Sequence, residues 1–269
     1  MSPHSRPSRA IRSGGSAWLL PALWDATSGT ARSRALPSGP GFLRGHALAP
    51  LLAFLVLAVA TMAGGGDLWL ADHLYAWEGG DWALRGSWVT QQAIHLGGRN
   101  LSALMWLAVL AAWLVACLRA GWAPLRKPLG YLLLATAVAT AAVSLLKGVT
   151  GMDCPWDLSR YGGDLPMVGL FSVRPAGLPE AACFPAGHAS GGYAWMASYF
   201  FLRVAWPRVR FAGLALGLTM GLVFGVAQQL RGAHFLSHDV WTAAICWFVA
   251  LGLYLLFWPR RSDAAEAVA

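Results

Sequence analysis

The chain has 269 residues, of which 57% are hydrophobic and only 12% charged. A soluble domain carries about 25% charged residues, so this composition excludes an ordinary globular fold and points to a bundle of membrane helices. The net charge of +8 would suit nucleic acid if the bases gathered on one face. Here they sit in short segments between apolar runs, which argues against a nucleic-acid partner and for membrane orientation.

Residues 1–45 are rich in Ser, Pro, Gly and Arg and read as a disordered basic tail. The apolar patch Trp18–Trp24 within it is too short to span a bilayer. Six apolar stretches follow, at about Ala47–Gly64, Leu101–Leu118, Leu129–Leu146, Ala189–Trp206, Phe211–Leu230 and Val240–Trp258. A helix needs about 20 apolar residues to cross the hydrocarbon. Backbone groups there must be paired internally, so each stretch is expected to be helical. The expected fold is all-α: a six-helix membrane domain over residues 46–259, followed by a short tail at 260–269.

The connections alternate in charge. The N-terminal segment holds Arg6, Arg9, Arg12, Arg32, Arg34 and Arg44 against Asp25. Arg119, Arg126 and Lys127 follow the second stretch, Arg203, Arg208 and Arg210 the fourth, and Arg260 and Arg261 the sixth. Positive charge marks the cytoplasmic side, which puts both termini there in an inner membrane. The three remaining connections then lie on the outer, periplasmic face. The first carries Trp69, Trp77, Trp82 and Trp88, which are expected to anchor at the interface.

The residues with chemical potential fall in three places, all on that outer side. Lys147 ends the third stretch and is followed by Asp153-Cys154-Pro155-Trp156-Asp157. Phe184-Pro185-Ala186-Gly187-His188 opens the fourth, and Arg231-Gly232-Ala233-His234-Phe235-Leu236-Ser237-His238-Asp239 precedes the sixth. A helix start at Gly187 would aim backbone N–H groups at an anion. Arg231 offers a planar fork for phosphate oxygens. His234 and His238, four apart, share a face if that segment is helical. Imidazole can act as nucleophile and as acid near neutral pH, and positive groups can stabilise the equatorial oxygens of a transferring phosphoryl group. For each residue alone a duller role exists: snorkelling for Lys147, capping or interfacial hydrogen bonds for the histidines.

The order and spacing resemble the three-part signature of the type-2 phosphatidic acid phosphatase (PAP2) superfamily. That signature reads lysine, six residues, Arg-Pro; then Pro-Ser-Gly-His; then Ser-Arg, five residues, His, three residues, Asp. The resemblance runs from about Leu129 to the last stretch and implies a six-helix bundle with its site at the outer face. It gives Lys147 and Gly187 to phosphate binding, His188 to protonation of the leaving group and His234 to the nucleophile that becomes a phosphohistidine. Three positions of the signature differ: Cys154 replaces the first arginine, Ala186 the serine and Gln228 the second arginine. Arg231, Arg160 and Arg174 are the candidates to compensate. His238 stands at the position of the signature's acid and Asp239 one residue beyond, so either is a candidate to orient His234, and His238 is an alternative nucleophile.

Cys154 and Cys183 flank the first two motifs in one outer connection. An oxidising compartment favours a disulfide between them. Cys117 and Cys246 fall in apolar stretches and read as packing residues. No paired Cys/His spacing supports a metal site, and no cofactor is implied. The expected activity is a phosphatase or phosphotransferase on a lipid phosphate or diphosphate, with membrane lipids around it. The competing reading is a catalytically weak relative that binds or transports lipid. An ion transporter would carry charges at mid-membrane, and the six stretches hold essentially none.

Overall fold

The computed structural model describes residues Gly39–Pro259. The expected basic tail up to residue 38, with Trp18–Trp24, and the tail from residue 260 lie outside the described residues. Among the described residues there are helices and connections and no strand, apart from an isolated bridge between Leu158 and Leu165.

Five helices are long and apolar enough to cross a membrane: α1 (Pro40–Ala63), α3 (Trp88–Leu118), α4 (Ala120–Lys147), α7 (Pro207–Leu230) and α8 (Leu236–Phe257). Between α1 and α3 lies a shorter helix, α2 (Gly66–Trp77). α1 starts ahead of the expected boundary at residue 46, because Pro40 pre-sets the first turn after Gly39. Large apolar side chains such as Val56, Leu104, Leu107 and Leu222 stay exposed on the spans. On a soluble protein so many would be a liability; facing hydrocarbon they cost nothing.

The expected sixth span is corrected. The fourth apolar stretch is built as α5 (Gly187–Tyr193), a 3-10 turn (Ala194–Met196) and α6 (Ala197–Ala205). It is absent from the five apolar spans, and the physical reason is its position. Every residue from Gly192 to Phe201 is buried, so this segment faces protein and has no need of a uniformly apolar surface. Ser190, Tyr193, Ser198 and Tyr199 are among its buried residues.

Close approach to α7 is what buries it. Gly213, Gly217, Gly221 and Gly225 recur every four residues and so line one face of α7. A Cβ on Gly217 would stand 2.2 Å from the backbone nitrogen of Met196, and one on Gly213 2.5 Å from the Ser198 carbonyl carbon. Gly192 answers from the other side, where a Cβ would meet the Gly221 backbone at 2.4 Å. Small residues at such positions let membrane helices pack backbone to backbone.

At the other end of the bundle from the motifs, Tyr131, Phe200, Leu251 and Tyr254 form the core. The Tyr131 hydroxyl donates to the Ala250 carbonyl at 2.8 Å, and the Trp247 indole donates to the His46 carbonyl at 2.8 Å, tying α1 to α8. Over the motif end sits a cap in which Ala71, Trp82, Leu158, Tyr161 and Phe235 are packed together. Here the four tryptophans part company. Trp69, Trp77 and Trp88 are exposed, whereas Trp82 is buried, its ring lying where a Cβ on Gly232 would be, at 2.4 Å. Gly232 also has φ +67°, so both its backbone and its neighbour demand glycine.

Candidate active site

Four helix ends meet at one end of the bundle: the C-terminus of α4 at Lys147, the N-terminus of α5 at Gly187, the C-terminus of α7 at Leu230 and the N-terminus of α8 at Leu236. Short turns explain the meeting of the last two. Gly232 N–H donates to the Gln229 carbonyl and Ala233 N–H to the Gln228 carbonyl, both at 2.9 Å, which closes α7. Trp156 N–H, from the connection after α4, donates to the Gly232 carbonyl at 2.9 Å and pins that turn.

Lys147, Gly187 and His188 line a common cavity of about 650 Å³. Gly187 is needed for the approach of the lysine: a Cβ there would lie 3.0 Å from Lys147 Cδ and 3.3 Å from Nζ. The cavity runs down between the helices past Ser102, Thr140 and Thr136 to Trp106 and Trp195. Lys147 and Thr136 are three turns apart on α4, so this descent is about 16 Å, roughly half of the hydrocarbon thickness. His188 Nε2 is buried and has no hydrogen-bond partner among the described residues.

His234 sits beside this cavity and does not line it. It is buried, and with Asp67, Gln229 and Leu236 it borders a separate small void. Burial first, then the charges of His238, Lys147 and His188, hold its pKa well below the usual imidazole value. Its Nδ1 lies 3.1 Å from Nδ1 of His238. The partner of His234 is therefore His238. Asp239 is turned elsewhere and accepts a hydrogen bond from Gln229 Nε2. The reason is helical: successive residues on α8 are 100° apart, so His238 and Asp239 cannot face the same group.

The compensating arginines are placed unequally. Arg231 is buried and donates from Nη1 to Gln228 Oε1 and from Nε to the Arg85 carbonyl, each at 3.0 Å. Gln228 Nε2 in turn donates to His95 Nδ1 at 2.9 Å, and the His95 ring stands 4.3 Å from that of His188, centroid to centroid. Arg231 thus reaches the cavity only through Gln228 and His95. Arg160 is exposed and grips Asp72 through two hydrogen bonds, at 2.7 and 2.6 Å. That pairing lowers the Asp72 pKa and raises that of Arg160. Arg174 is likewise paired, with buried Asp153 at 2.7 and 2.9 Å. Neither Arg160 nor Arg174 is among the cavity's lining residues.

Two residues of the cavity were missed in the sequence. His95 and Arg99 line it from α3. They are four apart at the start of an apolar run, which places them on one helix face, and that spacing was the available signal. Among the described residues no hydrogen bond or ion pair engages the Arg99 side chain, so it faces the cavity with its donors free. Asp67 was missed too. It is buried, and its Oδ1 accepts the Ser237 N–H at 2.8 Å, capping α8 from a distant segment. Burial, opposed by that hydrogen bond, raises its pKa.

Cys154 and Cys183 are joined, with Cα atoms 5.3 Å apart. The residue at the signature's first arginine position is thereby committed to a crosslink. The connection between them runs from Pro155 to Ala182 and Gly187 follows four residues after Cys183, so the crosslink holds the start of α5 near the end of α4. Cys117 and Cys246 are free, and Cys246 is buried.

The arrangement places an ammonium, a guanidinium, two imidazoles and a helix N-terminus around one cavity that deepens into the bundle. It can bind an anionic head with an apolar tail. No curated protein and no solved structure matches the chain significantly. A family model does: PAP2 superfamily, over residues 128–262, which takes in Lys147, His188 and His234 and leaves out α3 with His95 and Arg99. Members of that family are generally phosphatases acting on phosphate esters. With half of its length matched, this chain belongs to the PAP2 superfamily.

Proposed function

We propose that this chain is a membrane lipid phosphatase or phosphotransferase, acting on a lipid phosphate or diphosphate at the periplasmic face of an inner membrane. One observation carries the reading: Lys147, Gly187, His188 and Arg99 crown a cavity that continues to Trp106 and Thr136 between the membrane helices. A phosphate head and an apolar tail fit that division of polarity.

In this reading Lys147, Arg99 and the N–H groups at Gly187 hold the non-bridging oxygens. His234, kept neutral by burial, attacks phosphorus through Nε2. The bond from phosphorus to the lipid oxygen breaks, a phosphorus–nitrogen bond forms, and His188 gives its proton to the departing lipid oxygen. Water or a lipid hydroxyl then attacks the phosphohistidine, and His188 takes up the proton of that nucleophile.

A second reading is a lipid-binding relative with weak or no catalysis. It is favoured by Gln228 and Cys154 at arginine positions and by the seclusion of His234 from the cavity. A phosphate-release screen in detergent, across lipid monophosphates and diphosphates, separates the two. Release by the wild type that is lost in His234→Ala and His188→Ala supports the enzyme. Binding of the same lipids with no release, or release unchanged in His234→Ala, supports the binder.

A further inference from the structure

A second groove, of about 560 Å³, lies between α1, α7 and α8. The central helix separates it from the cavity already described: His188, Gly191 and Trp195 face that cavity, whereas Tyr193 and Met196 face the groove. Its walls are apolar. Leu214, Leu218, Leu222 and Val226 line it from α7, one helical face about 18 Å long. Phe54 and Trp247 close it from α1 and α8.

At one end of these walls stands Asp239, the only carboxylate among the described residues that line the groove. Gln229 satisfies one carboxylate oxygen. The other, Oδ1, is buried and has no hydrogen-bond partner among the described residues. The fold makes room for this carboxylate: a Cβ on Gly225 would stand 2.5 Å from Oδ2 and 2.7 Å from Oδ1. Leaving a buried acceptor unpaired is costly, and nothing in the His234 arrangement uses this one. Gln229 and Leu236 line both this groove and the small void beside His234, so the groove adjoins the nucleophile.

We propose that this groove binds a lipid alcohol, with its chain along α7 and its hydroxyl donating to Asp239. The chemistry selects that class. Among the described residues no cation lines the groove, so an anionic head would meet the Asp239 carboxylate with no positive charge to offset it. An ammonium would have to shed its water shell at much greater cost than a neutral hydroxyl. A plain hydrocarbon would leave Oδ1 unpaired. A lipid alcohol is also the product of phosphate removal from a lipid phosphate and the acceptor in phosphate transfer. The binding itself depends on neither reaction.

The test is photolabelling of the full chain in detergent with a long-chain primary alcohol carrying a mid-chain diazirine, followed by peptide mass spectrometry. Adducts are expected at Leu218, Leu222 or Val226. 1-Dodecanol should compete at least tenfold better than dodecane or dodecylamine, and that preference should vanish in Asp239→Leu and persist in Asp239→Asn, which keeps a carbonyl acceptor. Leu222→Trp, which fills the groove, should abolish the adducts while leaving the acid in place. Equal competition by dodecane and dodecanol on the wild type would make the groove an ordinary contact with membrane chains and overturn the proposal. So would stronger competition by dodecylamine, or adducts confined to Trp106 and Thr136. A protein that labels as expected but releases no phosphate leaves this site standing while the enzyme reading fails.

Discussion

Nδ1 of His234 and Nδ1 of His238 lie 3.1 Å apart, one turn along the start of α8. Two imidazole nitrogens at that distance share one hydrogen, so one ring donates and the other accepts. If His234 donates, its Nε2 keeps a free lone pair and can attack phosphorus. If His238 donates, the hydrogen of His234 sits on Nε2 and blocks attack. A carboxylate at position 238 can only accept, which removes the ambiguity. His238→Asp is therefore expected to retain or raise phosphate release. His238→Ala removes the orienting group and should lower turnover roughly 100-fold or more, within the range expected for lost acid–base positioning. Steady-state phosphate release by the two variants on one lipid phosphate decides it. Loss in both alike would mean that His238 serves packing alone.

The buried state of His234 also sets a pH dependence. Its pKa is pushed well below 6.5, by burial first and by His238 and Lys147 next. The folded protein then binds fewer protons than the unfolded chain, and stability rises with pH in that window. The contribution is fully present above about pH 6.5, the unfolded value, and is lost as pH falls below it toward the folded value. A thermal melt in detergent from pH 8 to pH 5 should show the midpoint falling below about pH 6.5. His234→Gln should make that acid limb shallower without removing it, since burial also lowers the His188 pKa, to about 4. An acid limb of equal depth in the variant would move its origin to another group.

Gly187 bears on binding rather than on folding. A methyl group there would meet Lys147 Cδ at 3.0 Å and Nζ at 3.3 Å. Both atoms belong to the end of a flexible chain, so the clash is relieved by swinging the ammonium away from the helix start. Gly187→Ala should thus reduce kcat/KM about tenfold, the equivalent of 1.4 kcal/mol in transition-state binding. The melting midpoint should move little. Arg99→Ala, which removes an unengaged cation from the same cavity, should act on the same parameter. A large drop in the Gly187→Ala midpoint would make this glycine a folding requirement instead.

Much of the bundle was legible in the sequence because hydrophobic length is a strong signal. The stretches beginning at Leu129 and Phe211 appear as α4 and α7 within a few residues at the motif end. What was not legible had physical causes. Ala189–Trp206 was read as one more apolar span because its apolar residues are numerous, but Gly192–Phe201 is buried by protein, and hydropathy does not report what covers a helix. Motif spacing grouped Lys147, Gly187 and His188, and all three line one cavity. It could not decide between His238 and Asp239, since that choice depends on where α8 begins, and Asp67 from α2 takes part in capping that start. His95 and Arg99 lay outside the resemblance, on a helix whose rotation no motif specified. Trp82 looked like three other tryptophans until Gly232 was found beneath its ring.

The glycine row of α7 makes the strongest stability prediction. Gly217 is opposed by backbone, not by the tip of a side chain: a Cβ would sit 2.2 Å from Met196 N and 2.6 Å from Trp195 C. Neither atom can rotate aside, so α7 must move away from the central segment. Overpacking of a tight core costs about 1–3 kcal/mol, more where backbone must shift. Gly217→Ala is therefore expected to lower the melting midpoint in detergent by several degrees. Gly45→Ala, on α1 with open space around its Cβ position, serves as the matched control and should be neutral or stabilising, since alanine favours helix. The displacement should also reach the site, because the same row continues to Gly221, which packs on Tyr193, and Tyr193 ends the helix that starts at Gly187. Phosphate release by Gly217→Ala at a temperature where it remains folded should accordingly fall as well. Equal midpoints for Gly217→Ala and Gly45→Ala would show that the two helices do not pack backbone to backbone.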